Sequence, residues 1–272
     1  MIAICADDYG VDINVDRAIV DLARIGRLTA TSVLVDAQIS PESISALRSL
    51  DIDVGLHLNF TERLSDLPAD RVMPLSRLIL RTHARLVSRQ WVRENINRQL
   101  DRFEALMGRS PDYIDGHLHV HQLPIIRDEL LDALSERQLP ASFWLRDTRA
   151  GHLSGSPLAE QFKSWVVGHL GMTALAKGAK RLAISANRGF FGVYDFTQPH
   201  RPFMQMMNVW LGNAASGALV MTHPSREALA GDPIGQARVN EYTALGSDAF
   251  GALLEQKGVK LVRLPQALSS LP

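Results

Sequence analysis

The chain has 272 residues, of which 46% are hydrophobic, and its 29 basic side chains balance 29 acidic ones. Neutral balance offers no long-range attraction to nucleic acid or an anionic membrane, and the length suits one α/β domain around a sizeable core. A single cysteine, Cys5, excludes an intrachain disulfide and a thiolate metal site. No apolar stretch approaches the ~20 residues that cross a bilayer, and the N-terminus lacks a signal-peptide pattern, so a cytoplasmic location is expected.

Residues 2–6 form a short apolar run suited to a strand, with Cys5 as a small buried hydrophobe, and lead into Asp7-Asp8-Tyr9-Gly10. Ile13, Ala18, Ile19, Leu22 and Ile25 recur at helical spacing, and Gly26 fits the end of that helix. Residues 31–35 are β-branched and strand-like, Pro41 suits the first turn of a short helix to Leu50, and 53–58 reads as a strand. Residues 59–89 are irregular, a loop plus a rim helix. The strongest amphipathic helix is 91–107, with Val92, Ile96, Leu100, Phe103 and Leu106 on its apolar face and Gly108 and Pro111 beyond its end. Residues 113–115 give a strand into Gly116-His117. Beyond it follow a helix over 124–138, a strand over 141–145, a helix over 158–177 and a weaker strand over 182–185. An aromatic loop at 189–194, a helix over 202–211, a buried strand over 218–222, one long helix over 238–256 and a closing strand over 259–262 complete the chain. Alternating strands and helices without a repeat or linker predict a single parallel α/β domain over 1–272, a barrel in preference to an open sheet.

The chemistry-bearing residues fall at strand ends. Asp7 and Asp8 follow the first strand, His57 ends the third, His117, His119 and His121 follow the fourth, and His223 follows 218–222. In barrels and wound sheets the carboxyl ends of strands converge on one rim. Taken singly, a strand-end Asp is more often a helix cap and a lone His more often a hydrogen-bonded core residue. Four segments delivering acids and imidazoles to one rim favour a metal site instead. Imidazole and carboxylate suit a borderline divalent ion, which in catalytic sites takes three protein ligands and a water. On an extended chain, His117, His119 and His121 would face one side. Adjacent Asp7 and Asp8 would diverge on extended backbone, so that one ligates while the other accepts a proton from water acidified by the ion. His223 would protonate the leaving group. His83, His152, His169 and His200 read as surface residues, and the four tryptophans, Trp91, Trp144, Trp165 and Trp210, as packing. The 189–194 loop is the better candidate for a sugar platform. There is neither a Gly-rich phosphate loop after a strand nor a Gly-x-Ser-x-Gly elbow.

Ala6-Asp7-Asp8-Tyr9-Gly10, Gly55-Leu56-His57, Asp115-Gly116-His117-Leu118-His119-Val120-His121 and Thr222-His223-Pro224 resemble, in order, the motifs of YdjC-like carbohydrate deacetylases. That family includes chitooligosaccharide and hopanoid-biosynthesis deacetylases. The resemblance spans nearly the whole chain and implies a distorted (β/α) barrel related to the polysaccharide deacetylases. It implies hydrolysis of an N-acetyl group on an amino sugar or a sugar-containing lipid. It places one divalent ion, zinc or magnesium, on Asp8, His57 and His117, with Asp7 as general base and His223 as acid, and Asp115, His121 and Arg146 lining the site. A homodimer is common among such proteins. Tyr9, Leu118 and Ser225 depart from the usual pattern, and an exchange of roles between Asp7 and Asp8 fits the sequence almost as well. Two other readings stand beside this one. A phosphoesterase would want more Lys or Arg beside the motifs, and a non-catalytic sugar-binding protein gives no reason for a second carboxylate next to Asp8.

Overall fold

Where apolar runs alternate with amphipathic stretches, the chain alternates strands with helices; the computed structural model describes residues 1–65, 67–199 and 201–270, so His200 lies outside the described residues. The strands are β1 (Ala3–Tyr9), β2 (Ala30–Val33), β3 (Asp53–Leu58), β4 (Tyr113–Gly116), β5 (Trp144–Leu145), β6 (Ser185–Ala186), β7 (Phe190–Phe191) and β8 (Leu219–Thr222). All pair in parallel, in the order β6-β5-β4-β3-β2-β1-β8-β7. The segment after β5 joins the far margin through an isolated bridge between Ala150 and Phe190. There Gly151 N–H donates to the Phe190 carbonyl at 3.2 Å and Phe190 N–H to the Arg149 carbonyl at 3.0 Å. The result is a distorted barrel, as the resemblance implies.

The helices are α1 (Ile13–Arg24), α2 (Pro41–Arg48), α3 (Leu75–His83), α4 (Arg89–Met107), α5 (Ile126–Ser135), α6 (Leu158–His169), α7 (Met172–Arg181), α8 (Phe203–Asn213), α9 (Gly235–Leu245), α10 (Asp248–Gln256) and α11 (Leu264–Ser269). The Ser88 side chain caps α4 by accepting from Trp91 N–H, and Gly108, in the left-handed region at φ 70°, ends it. Outward strand residues such as Ile4, Val54, Leu56 and Ile114 form one apolar cluster with Ile19 of α1 and Ile96 and Phe103 of α4. Inward residues, among them Ala3, Cys5, Tyr113, Trp144 and Met221, fill the barrel. This period-two sorting is what a sheet covered on its outer face requires.

Gly55 shows how tight the interior is. The Tyr113 ring lies so close that a Cβ at Gly55 would sit 2.5 Å from its carbons, and Trp144 stacks on that ring at 3.9 Å. Gly55→Ala should therefore destabilise the fold by about 1–3 kcal/mol through overpacking. Chemical denaturation would show this as a lower midpoint with an unchanged slope.

Five expectations need correction. The 158–177 helix is broken between α6 and α7 at Gly171, whose φ is 140° and where a Cβ would collide with the Gln122 carbonyl. The 238–256 helix is also two helices, because Ser247 accepts from Phe250 N–H and starts α10 afresh. Residues 259–262 give only an isolated bridge between Leu261 and Ile2. The aromatic loop at 189–194 contributes β7 and buries Phe190, Phe191, Val193 and Tyr194 in the core, so it is no sugar platform. Trp165, read as packing, is 55% exposed. Among the described residues, no helix is long and apolar enough to cross a membrane.

Candidate metal centre

The site begins with an irregularity in β1. Ala6 pairs with Thr31 but Tyr9 pairs with Val33, so Asp7 and Asp8 together face Ser32 alone. This bulge, with Asp8 in the left-handed region at φ 71°, re-aims the chain. Ile4 and Ala6 point to the outer cluster and Ala3 and Cys5 to the inner one; after the bulge Tyr9 is again outside. Both acids therefore reach the barrel mouth.

Asp8 Oδ1 lies 3.4 Å from His57 Nε2 and 3.2 Å from His117 Nδ1. One ligand atom from each of these three residues lies within 4.8 Å of the others. A carboxylate oxygen and two imidazole nitrogens, with His117 partly open to solvent, are a donor set that fits a borderline divalent ion. The other nitrogen of His57, Nδ1, is 2.6 Å from Asp115 Oδ1 and 3.0 Å from Ser32 Oγ. Such an outer carboxylate fixes the ring orientation of a ligating histidine. Burial works against charge on His57, but Asp115 and the neighbouring acids outweigh it and raise its pKa, so that without an ion the ring holds a proton that metal binding would displace. Burial likewise opposes charge on Asp8, yet the Arg238 guanidinium and the two imidazoles keep its carboxyl well below the usual range.

Asp7 belongs to a second group. Arg146 Nη1 donates to Asp7 Oδ2 and Nη2 to Asp7 Oδ1, both at 2.6 Å, while Nη2 also lies 2.5 Å from Asp115 Oδ2. Ligand atoms of Cys5, Asp7 and Asp115 also cluster, but the fully buried guanidinium contacts all three, which makes this an ion-pair centre. Burial pushes the Cys5 thiol up. The Asp7 carboxyl is held well below the usual range because Arg146 outweighs the cost of burial.

His223 Nε2 stands 4.0 Å from Asp7 Oδ2. Its backbone N–H donates to Glu241 Oε2 at 2.5 Å, and Tyr194 Oη donates to Glu241 Oε1 at 2.6 Å. The Phe196 ring meets the imidazole edge-on at 5.1 Å. Burial pushes His223 down to about 4, so the ring is neutral near pH 7.

The structure brings together Asp8, His57 and His117, and places Asp7, Asp115, Arg146 and His223 beside them. His121 is different. Leu118 (φ 52°) and His119 (φ 60°) are both left-handed, so His117–Gln122 coils into a 3-10 turn in which alternation fails. His121 is fully buried, with Nε2 3.1 Å from the Arg146 carbonyl oxygen, where it braces the backbone that carries Arg146. His119 stands edge-on to Phe190 at 5.6 Å. Three site residues escape sequence reading: Ser32, Arg238 and Glu241. An Arg and a Glu one turn apart on a helix look like an ordinary solvated face, and nothing local marks them.

Glu241 makes a testable pH dependence. It is fully buried, and burial raises its carboxyl to about 7, against the donors His223 N–H and Tyr194 Oη and the nearby Arg238, with Asp7 adding to the rise. A raised folded pKa means that the native state holds the proton longer than the unfolded chain. This contribution is therefore complete below about pH 4.5 and is lost as pH rises toward 7. Relative to Glu241→Gln, the wild type should lose on the order of 3 kcal/mol of stability between pH 4 and 8. Parallel stability curves for the two proteins would contradict it.

Two relatives frame the site. A carbohydrate deacetylase of Mus musculus is 33% identical over 144 residues, 49% of this chain and 46% of that protein. A chitooligosaccharide deacetylase of Proteus mirabilis (strain HI4320) is 29% identical over 145 residues, 52% of this chain and 57% of its own. The chain thus spans about half the length of the curated relatives it matches. Among solved structures, a protein of Enterococcus faecalis V583, provisionally described as a cellobiose-phosphate cleavage protein, has a TM-score of 0.69 at 19% identity and covers 98% of each chain. A peptidoglycan N-acetylglucosamine deacetylase has a TM-score of 0.52 at 16% identity, over 98% of this chain and 86% of its own. These two likenesses concern the fold. The model of the YdjC-like protein family matches residues 1–256, the stretch that carries every motif gathered at the barrel mouth, and the chain belongs to that family.

Proposed function

We propose that this chain is a divalent-metal-dependent hydrolase that removes the acetyl group from an N-acetylated amino sugar, free or attached to a lipid. The reading is carried by one observation: beside a complete three-residue donor set stands a second carboxylate, Asp7, tied to Arg146 and not to the donors. An ion on Asp8, His57 and His117 would supply Lewis acidity toward the acetyl carbonyl and lower the pKa of water. Asp7, kept ionised by Arg146, takes the proton of the attacking water. His223 is neutral and 4.0 Å from Asp7, so it can accept that proton and pass it to the departing amine nitrogen as the C–N bond breaks. Acetate and the protonated amine account for all atoms of the amide and the water.

A phosphoesterase fits less well. The guanidinium groups of Arg146 and Arg238 are already paired with Asp7, Asp115, Asp8 and Asp232. The test is to strip the protein with chelator, restore Zn²⁺, Co²⁺ or Mg²⁺, and offer N-acetylated amino sugars and a phosphate ester. Acetate release that vanishes on stripping and returns with an ion is expected. Phosphate release instead, or no turnover with any ion, would overturn the reading.

A further inference from the structure

Asp8 has two oxygens, and only one faces the imidazoles. Oδ1 is the atom near His57 and His117, while Oδ2 accepts from Arg238 Nη2 at 2.7 Å. Arg238 is itself held. Its Nε donates to Asp232 Oδ2 at 2.7 Å, and its backbone carbonyl accepts from Ser225 N–H at 3.2 Å, two residues beyond His223. The side chain is 6% exposed, and Nη1 has no hydrogen-bond partner among the described residues. A guanidinium fork spanning two carboxylates fixes direction in a way that a point charge cannot.

We propose that Arg238 is a positioning residue for the metal centre: by occupying Asp8 Oδ2 and leaning on Asp232, it presents Oδ1 to the space shared with His57 and His117. The proposal rests on the metal reading above. A stabilising role alone explains it poorly, because a buried ion pair is on balance often neutral for stability. Outer partners of metal ligands, by contrast, commonly change affinity by about 10–100-fold.

Charge and orientation can be separated. Arg238→Lys keeps a cation but cannot bond Asp8 and Asp232 together through a planar fork. Calorimetric titration of chelator-stripped full-length protein with Zn²⁺ and with Co²⁺ alone should show Arg238→Lys weakened about tenfold. Asp232→Asn, which touches neither Asp8 nor an imidazole, should shift affinity the same way by a smaller factor. Thermal melts without metal report the structural part separately. If Arg238→Lys does not fold, Asp232→Asn decides. Variants that bind within twofold of wild type, with or without a lowered melting temperature, overturn the proposal alone. A wild-type chain that takes up neither ion overturns the metal reading first, and this proposal with it.

Discussion

Asp7→Asn should keep both fold and ion yet release acetate at least about a hundredfold more slowly, the usual range for loss of a general base being 10²–10⁴. Asparagine preserves the shape and one acceptor while removing the basic oxygen. Arg146 keeps its contact with Asp115, and the Asp8, His57 and His117 group is untouched. Steady-state acetate release and a parallel metal titration read the two halves of this expectation. A rate within threefold of wild type would place the base elsewhere. Loss of the ion with Asp7→Asn, together with its retention in Asp8→Asn, would mean that the two acids have exchanged roles.

The largest effect on stability is expected at Arg146. Its guanidinium is fully buried and is the cation that compensates Asp7 and Asp115, both also buried. Arg146→Met keeps much of the volume but strands two carboxylates. Breaking a buried pair in this way costs about 3–5 kcal/mol, or roughly 10 °C in Tm for a chain of this size. Arg71→Met is the contrast. That side chain is 31% exposed and pairs with Glu94, itself 49% exposed, so its removal should change stability by less than about 1 kcal/mol. Equal melting temperatures for the two variants would mean that Asp7 and Asp115 are neutralised without Arg146.

The sequence was readable where periodicity stayed within one element or where position at a strand end carried the signal. β3 runs over the expected residues Asp53–Leu58, and the strand ends bring ligand atoms of Asp8, His57 and His117 within 4.8 Å of one another. It was unreadable where one backbone torsion decides the direction of a side chain. Strict alternation sends Asp8 outward with Ile4 and Ala6; the bulge that brings it inside leaves no mark in composition. The same holds for His119 and His121, whose even spacing assumed an extended backbone that two left-handed residues abolish. Long-range partners were hidden for another reason. Arg238 is 230 positions from Asp8, so only the closed barrel makes them neighbours.

The barrel's uneven strand lengths also have a mechanical consequence. β1 has seven residues and β3 six, whereas β5, β6 and β7 have two each, and the ring is completed by one bridge at Ala150. Cooperative hydrogen bonding is thus concentrated on one side of the ring. Local opening takes the least-bonded seam first. Amide protons of Gly151 and Phe190 should exchange with solvent through such breathing, while those of Cys5 and Ala6 wait for global unfolding. The compliant seam begins three residues past Arg146, so the side of the ring held by the fewest backbone hydrogen bonds adjoins the buried group of Arg146, Asp7 and Asp115.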